Sequence, residues 1–139
     1  MFRFFLFIWQ LPQYLCGLLY SFFVKIEKKE KYNEVMVYYT NSKKFGISFG
    51  YQIFISNDDR GQELLRHEYG HSRQSRILGL FYLPFVCWLS IIRYFFYEKK
   101  MKKVKSENEI NSIREWYFNG YPEKWANKLG NADIKDWKW

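Results

Sequence analysis

The run Leu64-Leu65-Arg66-His67-Glu68-Tyr69-Gly70-His71-Ser72-Arg73-Gln74 contains the only two histidines of a 139-residue chain. They stand four positions apart with Glu68 directly after the first, the pattern HExxH. On an α-helix, positions i and i+4 share a face. Both imidazoles can therefore reach one tetrahedral metal ion while Glu68 faces a water held by it, which is the signature of zinc hydrolases. The bland alternative is a pair of ordinary helix histidines. It loses weight because the chain has no other histidine.

A helix is expected here on independent grounds. Asn57-Asp58-Asp59 offers N-cap oxygens, Gln62 or Glu63 can complete a capping box, and Leu64, His67, Glu68, His71, Gln74, Ser75 and Leu78 recur at helical spacing. The opposite face carries Glu63, Arg66, Arg73 and Arg76, a solvated or lipid-phosphate-facing set rather than a catalytic one. Gly70 is costly in a helix interior, so it marks a close approach by another backbone or a substrate. Gly79 is the natural C-terminal stop.

A catalytic zinc keeps three protein ligands and one open position, so a third ligand must come from elsewhere. Downstream, Tyr121-Pro122-Glu123-Lys124-Trp125-Ala126-Asn127-Lys128-Leu129-Gly130 reads as a short helix, with Pro122 in its first turn and Gly130 as its cap. Glu123 and Asn127 fall on one face of it. With HExxH, this element resembles the glutamate-type zincins (gluzincins), in particular membrane-associated metallopeptidases such as the CAAX prenyl protease and its bacterial heat-shock relatives. Those carry a glutamate ligand in an E-x-x-A-D pattern on a later helix. The resemblance implies Glu123 as third ligand, Ala126 as the small packing residue, and Asn127 in place of the aspartate that supports a ligand histidine. The run from His67 to Gln74 is also similar to the H-E-x-G-H-x-x-Q form of small bacterial zinc peptidases, which makes Gln74 a second supporting residue. Short membrane-associated bacterial proteins sharing HEYGH and an E-K-W-A-N element are similar again. Glu115, Asp133 and Asp58 are the other candidate ligands.

At this length one domain is expected, residues 1–139. Aromatic residues make up 23% of the chain and concentrate in two apolar stretches, residues 1–24 and 77–97. Each is long enough to cross a bilayer and each is followed by lysines, Lys25, Lys28, Lys29 and Lys31 after the first and Lys99 to Lys105 after the second. A simple crossing by residues 77–97 conflicts with the metal site, because His67 and His71 precede that stretch and Glu123 follows it. Ligands must converge within about 2.0 to 2.2 Å of one point, so either residues 77–97 re-enter or lie in the interface, a path helped by Pro84, or the third ligand precedes them, or the site lies at membrane depth. The favoured picture dips into one leaflet from the cytoplasmic face, for a bacterial protein at the inner membrane. Trp137-Lys138-Trp139 suits an interfacial anchor and a packed terminal helix equally well. Cys16 and Cys87 lie inside the apolar stretches and read as small buried hydrophobes.

Between the stretches, residues 34–40 and 45–55 read as two strands of a hairpin around Asn41-Ser42-Lys43-Lys44, with Ile47, Phe49, Tyr51, Ile53 and Ile55 alternating against polar or small residues. The fold class expected is α+β: a minimal zincin-like core in residues 34–76, a third-ligand helix and tail in 98–139, and two apolar membrane-associated segments. The net charge of +8 borders apolar segments rather than forming a stripe with stacking aromatics, so membrane lipid is the expected partner and nucleic acid is not. The function expected is zinc-dependent hydrolysis of a peptide or protein substrate. His67, His71 and Glu123 would hold Zn2+, Glu68 would act as the base, and Asn127 and Gln74 would support the histidines. Tyr69 or Tyr121 would stabilise the oxyanion. The alternative is a non-enzymatic membrane-anchored module with a structural or decayed metal site.

Overall fold

The computed structural model describes residues 5, 8–42, 45–57 and 61–133. Among these, the elements in chain order are α1 (Leu11–Ser21), β1 (Ile26–Tyr32), β2 (Val35–Thr40), β3 (Gly46–Phe49), β4 (Gln52–Ser56), α2 (Gly61–Leu78), α3 (Trp88–Met101), α4 (Glu107–Phe118) and α5 (Glu123–Gly130). The class is α+β. Asp58, Asp59 and the Trp137-Lys138-Trp139 segment lie outside the described residues.

The sheet is mixed, in the order β1-β2-β4-β3. This corrects the single hairpin expected from residues 34–40 and 45–55. Gly50, at a φ of 64°, turns the chain with Tyr51 so that Phe49 pairs with Gln52, and residues 45–55 form two antiparallel strands. Strand β2 pairs with the second of them, β4, in parallel. The two-residue turn inverts the period-2 parity: Ile47 and Phe49 share a face with Phe54, while Ile53 and Ile55 lie on the other, although the apolar residues stay at odd-numbered positions throughout. Strand β1 falls within what the sequence presents as a cationic flank. Asn33, at a φ of 50°, reverses the chain between it and β2. Its lysines face outward, with Lys28 5.1 Å from the Tyr39 ring centre and Lys29 5.5 Å from that of Tyr38. Such charges suit the margin of a sheet.

Every residue of β4 is buried, because each face of the sheet is covered. On one face Val35, Val37, Ile53 and Ile55 pack against Leu64 and Leu65 of α2. On the other, Phe54 meets Tyr20 of α1, Tyr38 and Phe49. The polar side of α2 does more than face solvent. Arg73 donates to the Leu129 carbonyl at 2.7 Å, Arg66 pairs with Glu63 at 2.8 Å, and Arg76 bonds to Glu34 in the turn after β1.

Helix α2 ends at Gly79, whose φ is 53°. A 3-10 turn, Gly79–Phe81, and a π-helical turn, Leu83–Cys87, then lead into α3. Pro84 lacks an N–H and cannot continue a regular helical ladder, which accounts for the irregular turn at that point. The second apolar stretch is therefore bent, and no helix among the described residues is long and apolar enough to cross a membrane. Chain reversal through α4 brings α5 back against α2. There Gly70 performs the expected role: a Cβ on it would collide with the Ala126 carbonyl, and one on Gly130 would collide with the Arg66 carbonyl. Asn131, at a φ of 54°, rather than Gly130, supplies the left-handed cap of α5.

Gly70→Ala must push the two backbones apart, and overpacking of this kind costs about 1 to 3 kcal/mol. A lowered urea midpoint is expected. An unchanged midpoint would remove this contact as the reason for the position of α5.

Candidate metal centre

Helix α2 presents His67 and His71 one turn apart, with ring centres 4.7 Å from each other and planes nearly perpendicular. Glu123 opens α5, and its Oε2 lies 3.0 Å from His67 Nε2 and 3.1 Å from His71 Nε2. The ligand atoms of these three residues all lie within 4.8 Å of one another, and all three side chains are buried. The group can hold a metal ion. Fifty-two residues separate His71 from Glu123, and the Gly70 contact with Ala126 closes that gap.

A buried carboxylate is costly unless paired and hydrogen-bonded. Glu123 satisfies both conditions. Ser90 of α3 donates to its Oε1 at 2.6 Å while the imidazoles face its Oε2. Burial pushes the Glu123 pKa up, but the His71 and His67 rings outweigh it and hold the carboxyl well below the usual range. For His71, burial works against the charged form, and the Glu123 carboxylate overcomes it to raise the pKa to about 9.

Each ring is also oriented from behind. His67 Nδ1 lies 2.6 Å from Asn127 Oδ1, and His71 Nδ1 lies 2.7 Å from Gln74 Oε1. Gln74 Nε2 donates to the Pro122 carbonyl at 3.0 Å. A proline carbonyl can only accept, so the Gln74 amide has to present its oxygen to His71. His71 then carries its hydrogen on Nδ1 and turns Nε2 toward the centre, and Asn127 does the same for His67. Asn127 thus serves His67 as an uncharged acceptor.

Glu68 is buried beside the three ligands. Its carboxyl lies against Gly46 of β3, where a Cβ would displace it. Its Oε2 finds no hydrogen-bond partner among the described residues. Burial raises its pKa, the two imidazoles partly offset this, and the Glu123 charge adds to the rise. His67, Glu68 and His71 open onto a cleft of about 330 Å³, walled by Phe45 and Ile47 beside β3 and by Ile91, Tyr94, Tyr97 and Tyr117.

The structure places the other candidates elsewhere. Glu115 and Asp133 are exposed, and Asp58 lies outside the described residues. Tyr69 donates to Glu34 at 2.9 Å on the far side of α2, and exposed Tyr121 stacks on Trp125. Neither lines the cleft, whereas Tyr82 does. Ser90 and Gly46 escaped the sequence reading. Ser90 left one signal, as the polar residue interrupting the apolar run Trp88 to Ile92. No protein family, curated protein or solved structure matches this chain.

Metal must displace the proton that Glu123 helps His71 to hold, so binding should weaken as pH falls. One released proton corresponds to about a tenfold loss of affinity per pH unit below about 9. Titration with a competing chelator between pH 6 and 8 checks this slope. Gln74→Ala removes the His71 support and should weaken binding by about 10 to 100-fold at constant pH.

Proposed function

We propose that this chain is a zinc-dependent hydrolase of peptide bonds. The observation that carries the reading is the buried Glu68 carboxylate, whose Oε2 has no hydrogen-bond partner among the described residues, beside the three-residue group His67, His71 and Glu123 at the floor of a cleft. Two imidazole nitrogens and one carboxylate oxygen are a donor set suited to zinc, and they match the ligand types of catalytic sites that keep a fourth position open. Zinc held there supplies Lewis acidity to a water molecule and to the carbonyl under attack.

The chain's own residues account for the proton. Glu68, its pKa raised by burial, takes a proton as the water oxygen bonds to the carbonyl carbon. It then delivers that proton to the amide nitrogen as the C–N bond breaks, leaving a carboxylic acid and an amine. Apolar walls keep bulk water from the base and suit a large apolar side chain beside the scissile bond. Strand β3 lies at the margin of the sheet, and its residues Gly46, Ile47 and Ser48 line the cleft. An extended peptide can run along it. The gluzincin resemblance of the two motif helices supports the same reading.

Glu68→Gln should retain metal and lose at least about a hundredfold in cleavage of a fluorogenic peptide library. His71→Ala should lose both. A fully active Glu68→Gln protein would overturn the mechanism, and a metal-loaded wild type that cleaves no peptide would leave a structural metal module. Gly46→Ala displaces only the end of the Glu68 side chain, so it should lower kcat while metal content and unfolding midpoint stay unchanged.

A further inference from the structure

Helix α1 is amphipathic in the opposite sense to a helix on a water-facing surface. Its buried residues are Gln13 and Gly17, with Gln10 just before it. Its exposed residues include Leu15, Leu18 and Leu19, followed by Phe22 and Phe23 at 76% and 85% exposure. The polar side is used internally: Gln13 donates to the Gly79 carbonyl and Ser75 donates to Gln10. Rotating the helix to hide its leucines would break those bonds, so the apolar side is left outward by construction.

The second apolar stretch repeats the arrangement. Helix α3 turns Ser90 and Tyr97 inward and leaves Trp88, Ile92, Phe95 and Phe96 exposed, after an exposed Phe81 and Phe85 in the turns before it. The two stretches adjoin, since Trp9 and Gln13 both bond to the end of α2 around Gly79. Two stretches of exposed apolar side chains thus meet near Gly79. Scattered apolar residues on a surface are ordinary, but so many large ones concentrated on two adjoining stretches mark a docking surface.

The occupant is identified by charge and by length. Exposed lysines stand at the end of each apolar run, Lys25 after Phe23, and Lys99, Lys100, Lys102 and Lys103 after Phe96. Apolar side chains edged by lysines and aromatics are the recognition chemistry of an anionic lipid headgroup layer over acyl chains. The stretch is broken by 3-10 and π-helical turns, and no helix among the described residues is long and apolar enough to cross a membrane. We propose that α1 and residues 77–96 form one face that docks in the plane of a single anionic lipid leaflet, with the lysines at the headgroups. The face spans nothing. The inference is independent of the metal chemistry. It adds that α3 has one side in lipid and the other, through Ile91 and Tyr94, in the cleft wall.

The test uses the full chain, purified in detergent and mixed with vesicles of phosphatidylcholine alone or with 30% phosphatidylglycerol, a composition chosen as roughly that of an anionic membrane. Co-sedimentation at least about tenfold stronger with the anionic vesicles is expected. The double variant Leu19→Asp, Phe95→Asp should weaken it by about tenfold or more while metal content stays the same. In case that variant fails to fold, brominated phosphatidylcholine in the anionic vesicles offers a second readout. It should quench wild-type tryptophan emission, and Trp88→Phe should relieve a measurable part of that quenching. Failure to bind either vesicle overturns the proposal, and equal binding to both overturns its anionic character. A soluble dimer dispersed by Leu19→Asp, Phe95→Asp would instead make a second copy of the chain the occupant. Metal content, measured in the same samples, separates each of these outcomes from failure of the hydrolase reading.

Discussion

The carbonyl oxygen of Ala126 occupies the space that any side chain at position 70 would fill. Helices α2 and α5 therefore touch backbone to backbone, at Gly70 on one and again at Gly130 on the other. The separation of their axes sets how far Glu123 stands from the two imidazoles, and a carboxylate side chain is too short to absorb a shift of more than an ångström or so at its base. Close packing of this kind is stiff. It positions one ligand against two others from which it is far removed in sequence.

Around that contact the buried polar groups form a connected set. Glu123 is held by Ser90 and by both rings, the rings are held by Asn127 and Gln74, and Gln74 is in turn fixed by the carbonyl just before Glu123. Four elements or turns therefore agree on one arrangement. A partly satisfied network would be worse than an apolar core, because each unpaired member would bear its full desolvation penalty. Glu68 Oε2 stands outside this set, as do other buried polar atoms without a partner among the described residues, such as the Ser72 and Ser48 hydroxyls. Burial raises the pKa of Glu68.

The same economy explains the outer surface. Gln10, Gln13, Ser72, Gln74 and Ser75 are buried while leucines and phenylalanines face outward. Between α1 and α2 the polar contacts are Gln13 to the Gly79 carbonyl and Ser75 to Gln10. The apolar residues that a water-facing domain would place inside are displaced to the exterior. A lipid leaflet would complete the burial that the sheet core, built on β4 and the first two turns of α2, completes for itself.

The sequence alone determined whatever depends on local spacing. His67 and His71 at i and i+4 share a helix face by geometry, Glu123 and Asn127 do so for the same reason, and Gly70 in a helix interior required a close neighbour. The α+β class followed from strand-like alternation beside helical periodicity. Strand pairing did not follow, since the apolar alternation at odd positions runs on past Gly50-Tyr51 although the turn there puts Phe49 and Ile53 on opposite faces, and the charges of β1 hid a strand within a lysine flank. Nor could spacing reveal that Tyr69 faces Glu34, that Gly46 makes room for Glu68, or that Ser90 reaches Glu123 from inside an apolar run. Those facts arise where separate elements meet. Only the tertiary structure decides them, because contact between distant residues is set by how helices and sheet pack, and no periodicity along the chain encodes which face meets which.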